Sequence, residues 1–529
     1  MKSVYLLIAT LLASLVVKAQ IGYKNPILSG MYPDPSICRV GEDYYLINSS
    51  MGYFPGIPIS HSKDLVNWQQ IGHVLTTDEQ LPLFSGMNGI SGGIMAPTIR
   101  YNKGTFYVIC TNLSVMKNFI VTAKDPKGPW SNPVWIDLPN FAIDPSLFFD
   151  EDGKVYLTVT PEFGKLEGIR LAQIDVHTGK LITPLKSIWN GTGGWHPEGP
   201  HIFKKEGYYY LLMAEGGTEY GHKVIIGRSR SIEGPYDSAP GNPILSHLGR
   251  AMQSSPIQGV GHPDLVQAHD GSWWMVVLAF RHYNNHHVMG RDTYLAPVEW
   301  NYSGWPVVNG NGTLALDMKV KTLTLHPFSE PPTRDNFDNG KLELFWNYIN
   351  NPIKGNYSLS EREGYLRLKG NVSTTSEGKQ VTFVGRRQQH ESFTAATELD
   401  FAPSNQTDEA GLVVFMDYRA HYDLSIKNLK GKRTLILKYT LGSIQHLEKQ
   451  IPIGNDPIVL KVEGSKNHYI FSYSQGNNEY KVLGKADNKY LSTETNGGFT
   501  GVYIGLFATG NGKNSVTNAD FDWFEYLHK

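Results

Sequence analysis

The sequence predicts an all-β protein, a five-bladed β-propeller followed by a β-sandwich. Three observations carry this. A short motif, a Pro-flanked residue set ahead of a Gly turn and an aromatic-rich strand, recurs five times in the first 300 residues. Between the copies lie short β-runs punctuated by Gly, Asn, Pro and Asp, with almost no helical period. Beyond residue 334 the texture changes to many short segments of strict apolar–polar alternation.

The copies are Pro33-Asp34-Pro35-Ser36 before Tyr44-Tyr-Leu-Ile47, Met95-Ala96-Pro97-Thr98 before Phe106-Tyr-Val-Ile109, and Ile143-Asp144-Pro145-Ser146 before Val155-Tyr-Leu157. Trp195-His-Pro-Glu-Gly-Pro-His201 before Tyr208-Tyr-Tyr-Leu-Leu212 is the fourth, and Gly261-His262-Pro263-Asp264 before Trp273-Trp-Met-Val-Val277 the fifth. A spacing of roughly 50–65 residues suits one propeller blade per copy. Inner strands of a propeller converge on its axis, so Asp34, Asp144, Glu198 and His262 are expected around one central pocket, at equivalent repeat positions. A second recurrence supports the count: His61-Ser-Lys-Asp-Leu-Val-Asn-Trp68, Ala123-Lys-Asp-Pro-Lys-Gly-Pro-Trp130 and Ser229-Arg-Ser-Ile-Glu-Gly-Pro-Tyr236 each read as a turn and outer strand closed by an aromatic.

In chain order, residues 1–19 read as a secretory signal peptide: Lys2, an apolar run from Val4 to Val17, and a small residue, Ala19, at the expected cleavage site. The run is short for a membrane span, and no Cys at its end offers a lipid anchor. This places the protein in the periplasm or medium, with no membrane insertion. Residues 20–325 form the propeller, 326–334 (His326-Pro-Phe-Ser-Glu-Pro-Pro-Thr-Arg334) a linker, and 335–529 the sandwich, with runs such as Tyr365-Leu-Arg-Leu-Lys369 and Ala410-Gly-Leu-Val-Val-Phe-Met416. Ala519-Asp-Phe-Asp-Trp-Phe-Glu-Tyr526 is expected to return beside the start of that domain. The net charge of −1 over 529 residues argues against binding nucleic acid or an anionic membrane. Cys38 and Cys110, the only two cysteines, read as buried thiols, with a disulfide between neighbouring blades as the alternative.

Three carboxylates around one pocket point to glycosidic hydrolysis. One carboxyl group must protonate the leaving oxygen while a carboxylate across the bond activates water, roughly 6.5–9.5 Å away in an inverting enzyme. A third carboxylate near the acid raises its pKa by like-charge repulsion. Prolines at positions 33, 35, 145 and 197 stiffen the backbone beside each acid. A lone Asp in such a setting more often caps a turn; three together favour a site. The sandwich offers no comparable pair, which assigns it to support or binding.

The segments Asn25-Pro-Ile-Leu-Ser-Gly-Met-Tyr-Pro-Asp-Pro-Ser36, Asp144-Pro-Ser146 and Glu198-Gly-Pro200 resemble the three signature segments of glycoside hydrolase family 43. The C-terminal half resembles the concanavalin-A-like, jelly-roll sandwich of its β-xylosidases. The resemblance implies an inverting mechanism with Asp34 as general base, Glu198 as general acid and Asp144 as the residue that tunes and orients the acid. His262 resembles an axial histidine that in many members stands over a water-bound Ca²⁺ in the central channel; a hydrogen-bonded core histidine is the other reading. Met289-Gly-Arg-Asp-Thr293 resembles the segment whose arginine touches sugar, which nominates Arg291, with Arg281 as its competitor. Phe54 is expected to line the pocket or pack a blade, and Phe499-Thr-Gly501 resembles a sandwich loop reaching the pocket rim. Met51 and Met95 stand where many relatives carry aromatics, which leaves the bound sugar open.

The expected substrates are therefore oligosaccharides or polysaccharides containing xylose or arabinose, cut from the non-reducing end by β-1,4-xylosidase or α-L-arabinofuranosidase activity. An endo-arabinanase-like hydrolase and a non-catalytic carbohydrate-binding propeller are the alternatives. No cofactor is required for this chemistry. No glycine-rich phosphate loop or cysteine metal cluster is present, and the loop His282-Tyr-Asn-Asn-His-His287 lacks acidic or Cys partners at ligand spacing.

Overall fold

The computed structural model describes residues 22–83, 89–161, 168–476 and 479–528; the leader expected over residues 1–19 lies outside them. Among the described residues, five antiparallel sheets of four or five strands follow one another along the chain. Their innermost strands are Ser36–Val40, Thr98–Asn102, Ala142–Phe149, Glu198–Lys205 and Ile257–Gln267. Each packs against the next, and the fifth against the first, which closes a five-bladed ring.

Alternation within each strand gives every blade two apolar faces, and neighbouring blades share the cluster between them. Cys38, Ile59, Val108 and Phe119 fill the first interface, and Tyr107, Leu147 and Val159 the second. Leu171, Ile202 and Leu211 fill the third, Leu212, Ile226 and Met275 the fourth, and Ile37, Leu46 and Trp274 the fifth. The recurrent aromatics Trp68, Trp130 and Tyr236 each pack into the cluster between their own blade and the preceding one. The ring is tied where its ends meet: Tyr23–Lys24 pairs with Asp317–Met318, and the Asn25 side chain bonds to Leu295 of the fifth blade. Cys38 and Cys110 are both buried free thiols.

The C-terminal region is a sandwich of two antiparallel sheets around one apolar core. The closing strand Asn518–His528 pairs with Arg334–Asp335, beside the start of the domain as expected. One feature was not legible in the sequence. The propeller segment Tyr53–Phe54 pairs with Asn347–Ile349 and becomes the edge strand of a sandwich sheet. Around it, Met31, Met51, Tyr53 and Ile90 of the propeller interlock with Phe383, Phe415, Tyr503 and Phe507 of the sandwich. The Tyr53 and Tyr503 rings stack at 3.9 Å. Each fully buried large side chain here contributes about 1.5–3 kcal/mol, so the two domains share a joint core rather than a loose contact.

Candidate active site

The site begins with backbone shape. Asp34, Asp144 and His262 each have φ near +50° (52°, 50° and 46°), a left-handed conformation that costs non-glycine residues on the order of 1–3 kcal/mol. Register shifts interrupt the pairing at Ile143/Ser146, Glu198/His201 and Gly261/Asp264. These bulges re-aim side chains toward the channel. In the fourth blade the left-handed position is Gly199 (φ 60°). Glu198 therefore stands one residue ahead of the register expected from the repeats. The reason is steric: a Cβ on Gly199 would come within 3.1 Å of the His262 ring.

Asp34, Asp144, Glu198, His262 and Arg291 all line one pocket of about 390 Å³, with Met95, Ala96, Ile143, Thr218 and Phe499 as further walls. Asp34 is buried. Its Oδ1 accepts a hydrogen bond from Arg291 at 3.2 Å and lies 3.9 Å from His262 Nδ1, and its Oδ2 accepts from the Ser49 hydroxyl. Burial pushes the Asp34 pKa up, but Arg291, His262 and the Ser49 hydroxyl outweigh it and hold the carboxyl below its ordinary value. Asp144 Oδ2 accepts the Gly199 N–H at 3.0 Å. Burial, then the charges of Glu198 and Asp34, push Asp144 well above the usual carboxylate range. Glu198 Oε1 lies 3.2 Å from His222 Nε2. Burial again acts upward, but the His222 contact outweighs it and Glu198 is held low. Asp144 and Glu198 are thus pushed in opposite directions, Asp144 up by burial and the neighbouring carboxylates and Glu198 down by His222. Burial lowers the His262 pKa, which keeps this imidazole neutral.

Arg291 donates to Thr218 Oγ1 at 2.7 Å as well as to Asp34, and its guanidinium faces the Phe499 ring at 5.5 Å. Its buried Nε has no hydrogen-bond partner among the described residues, so one donor is free for a ligand. The sandwich loop thus does reach the pocket: Ser91 Oγ of the propeller accepts the Phe499 N–H at 2.8 Å.

Three nominated residues fall elsewhere. Arg281 is not among the pocket's lining residues. Its Nε and Nη2 grip both oxygens of the buried Asp292 at 3.0 and 2.9 Å, and Nη2 also reaches Ser29, a structural ion pair. Phe54 is 8% exposed in the core between the first two blades. Met51 is buried in the core between the domains and cannot shape the sugar site. Sequence reasoning missed Ser49, Thr218 and His222. The signal for the last two was the glycine-rich Glu215-Gly-Gly-Thr-Glu-Tyr-Gly-His222, and Gly261 explains itself here too, since a Cβ there would sit 2.3 Å from the His222 ring.

The next layer along the inner strands is closed by a cation of the protein's own. Arg100 donates to Asp264 at 2.8 Å and to Ser36 at 3.3 Å, and contacts His201 Nδ1 at 2.8 Å, while Ser146 also reaches His201. Among the described residues no group of three or more His, Cys, Asp or Glu is arranged to hold a metal. The Asp34 carboxylate beside His262 is already taken by Arg291 and Ser49. The residues around His262 do not form a metal-ligand set, and no step is derived through an ion.

A propeller whose axial pocket holds two buried carboxyl groups, Asp34 and Asp144, and a partly exposed third, Glu198, has the equipment of a glycoside hydrolase. Comparison with known proteins agrees. Residues 23–306 match the profile of Glycosyl hydrolases family 43, and residues 334–527 that of the Beta xylosidase C-terminal Concanavalin A-like domain. The non-reducing end α-L-arabinofuranosidase BoGH43B of Bacteroides ovatus is 43% identical over 514 residues, covering 96% of this chain and 95% of its own. The xylosidase/arabinosidase of Butyrivibrio fibrisolvens is 40% identical, covering 94% and 98%. Among solved structures, the GH43B protein of the Bacteroides ovatus xyloglucan locus superposes with a TM-score of 0.92 at 42% identity, covering 96% of this chain and all of the other. The chain belongs to glycoside hydrolase family 43, whose enzymes use no cofactor for catalysis.

Proposed function

We propose that this protein is an inverting exo-glycosidase that removes terminal xylosyl or arabinosyl residues from the non-reducing ends of plant hemicellulose or its oligosaccharides. The observation that carries the reading is the convergence of three carboxyl groups on one pocket, with Arg291 on Asp34, His222 against Glu198 and the Gly199 amide on Asp144. Asp34, held ionised by Arg291, takes a proton from the attacking water. Glu198, which His222 holds low in the free pocket, must take up a proton from the adjacent Asp144 before giving it to the departing glycosidic oxygen. Asp144, against the Gly199 amide, keeps a proton within the pair and orients the acid. Arg291 offers its unpaired Nε–H to a sugar hydroxyl, and Met95 and Phe499 supply apolar walls.

A small pocket enclosed by Asp34, Asp144, Glu198 and Arg291 supports binding of one terminal sugar, and Phe499 closing one side supports exo rather than endo action. The activities of the relatives, an α-L-arabinofuranosidase and a xylosidase/arabinosidase, support a pentose. The apolar run at residues 4–17 supports export to the periplasm or medium, which mass spectrometry of the mature N-terminus would test.

Hydrolysis of p-nitrophenyl β-D-xylopyranoside and p-nitrophenyl α-L-arabinofuranoside, wild type beside Glu198→Ala, tests the function. Turnover of at least one is expected, and their ratio names the sugar. The variant should lose about 10²–10⁴-fold on a substrate with a poor leaving group and much less on one whose leaving group needs no proton. Equal losses on both would remove Glu198 from the acid role.

A further inference from the structure

A second, larger cavity shares a wall with the catalytic pocket. It lies where the sandwich meets the propeller, encloses about 1380 Å³ including its open mouth, and has Phe499 in common with the pocket of about 390 Å³. Its remaining walls are mostly sandwich residues of mixed hydrogen-bonding character. Arg419 brings donors, Asp417, Ser376 and Glu377 bring acceptors, Tyr418 brings an aromatic ring, and Asn496, its amide N–H groups held by Tyr490 and Ser492, lines the cavity as a fixed polar wall. The Arg419 side chain is 69% exposed, and its Nε stands 3.7 Å from Asp417 Oδ1, too far for a hydrogen bond, so the guanidinium is free to engage a ligand.

We propose that this cavity binds the leaving-group side of the substrate, a chain of neutral sugar units beyond the cleaved bond. The inference rests on the exo-glycosidase reading above. If the small pocket takes one terminal sugar, the rest of the glycan must emerge past the pocket's wall, and Phe499 is the wall both cavities share. Neutral sugars are recognised by interleaved donors and acceptors with an aromatic face, rather than by a field of one sign. The cavity offers that mixture, with acids and a base side by side. The sandwich is thereby a recognition domain for the leaving group as well as a support, while the five blades carry the chemistry.

The test compares kcat/KM on two substrates for wild type and the double variant Arg419→Ala/Glu377→Ala, which alters only exposed side chains. One substrate is the p-nitrophenyl pentoside, whose leaving group is a single small ring. The other is the matching oligosaccharide, β-1,4-xylotetraose or an α-L-arabinofuranosyl-substituted xylotriose. The expected result is a loss of about tenfold on the oligosaccharide, mostly in KM, with the p-nitrophenyl pentoside within twofold of wild type. Equal values for variant and wild type on the oligosaccharide, or equal losses on both substrates, would overturn the inference alone. Failure of wild type to cleave either substrate would overturn the parent reading and this one with it.

Discussion

At the scale of single residues, the site is a problem in keeping like charges apart. Asp34 and Glu198 are each held low by a specific cationic or hydrogen-bonding neighbour, Arg291 and His222, whereas at Asp144 burial and two carboxylates outweigh the Gly199 amide and the more weakly acting Arg291. The sign of the pH dependence follows. The base must be ionised, so the acid limb of kcat/KM should fall below the ordinary carboxylate range of about 4. The acid must keep its proton, so the alkaline limb is set by the Asp144–Glu198 pair and should lie above that range. In Asp144→Asn the neighbouring negative charge is gone and Glu198 titrates alone under the pull of His222. Its alkaline limb should then move to lower pH, with kcat reduced on substrates that need protonation. A pH profile with an unmoved alkaline limb would show that Asp144 does not govern the proton. The acids were legible because they are polar residues fixed beside prolines. Ser49 was not, since nothing local in the sequence says which distant serine the fold will bring to a carboxylate, and the glycine-rich run around Thr218 and His222 marks a close approach without saying which acid they meet.

At the scale of elements, the repeats revealed the five blades because each inner strand must solve the same steric problem. It must enter the channel through a bulge, display one side chain and return to a regular ladder. The one-residue offset of Glu198 escaped the sequence reading, because matching a Pro-flanked acid to other Pro-flanked acids ignores which residue adopts the left-handed backbone. The glycines record the true register. Gly261 has no left-handed φ to explain it, yet a Cβ there would meet the His222 ring at 2.3 Å. Gly261→Ala should therefore cost about 1–3 kcal/mol of stability from overpacking and, by displacing His222 from Glu198, lower kcat at least tenfold. Thermal denaturation and kinetics on the p-nitrophenyl substrate would check both. A stable variant with full activity would mean that His222 has room to move without consequence. Arg281 failed as a candidate for a related reason: an arginine at the end of a blade's second strand looks the same in sequence whether it faces the pocket or, as here, a buried aspartate such as Asp292.

At the scale of the whole molecule, the two halves looked separable in sequence, joined by a proline-rich linker, and the structure joins them in three further ways. A propeller segment completes a sandwich sheet, an apolar core spans the boundary, and a sandwich loop supplies a wall of the catalytic pocket. Only the third left a trace, the resemblance of Phe499-Thr-Gly501 to a pocket-rim loop; the first two did not, because the partners of Tyr53 lie hundreds of residues away. A propeller of residues 20–325 made alone would expose Met31, Met51, Tyr53 and Ile90 together, a contiguous apolar patch of the kind that drives aggregation. It would also leave the Tyr53–Phe54 edge strand unpaired. The expected outcome is a truncated chain that is largely insoluble, or soluble only with a markedly lowered melting temperature, and that lacks the pocket wall made by Phe499. Phe499→Ala in the full-length chain separates the two effects. Phe499 packs only on the margin of the shared core, so stability should fall far less than in the truncation, while KM for the p-nitrophenyl pentoside rises several-fold as an apolar wall of the pocket is lost. If instead the isolated propeller is soluble, melts like the full chain and cleaves the same substrate with unchanged KM, the sandwich is an appendage and the joint core contributes nothing that the five blades do not already hold by themselves.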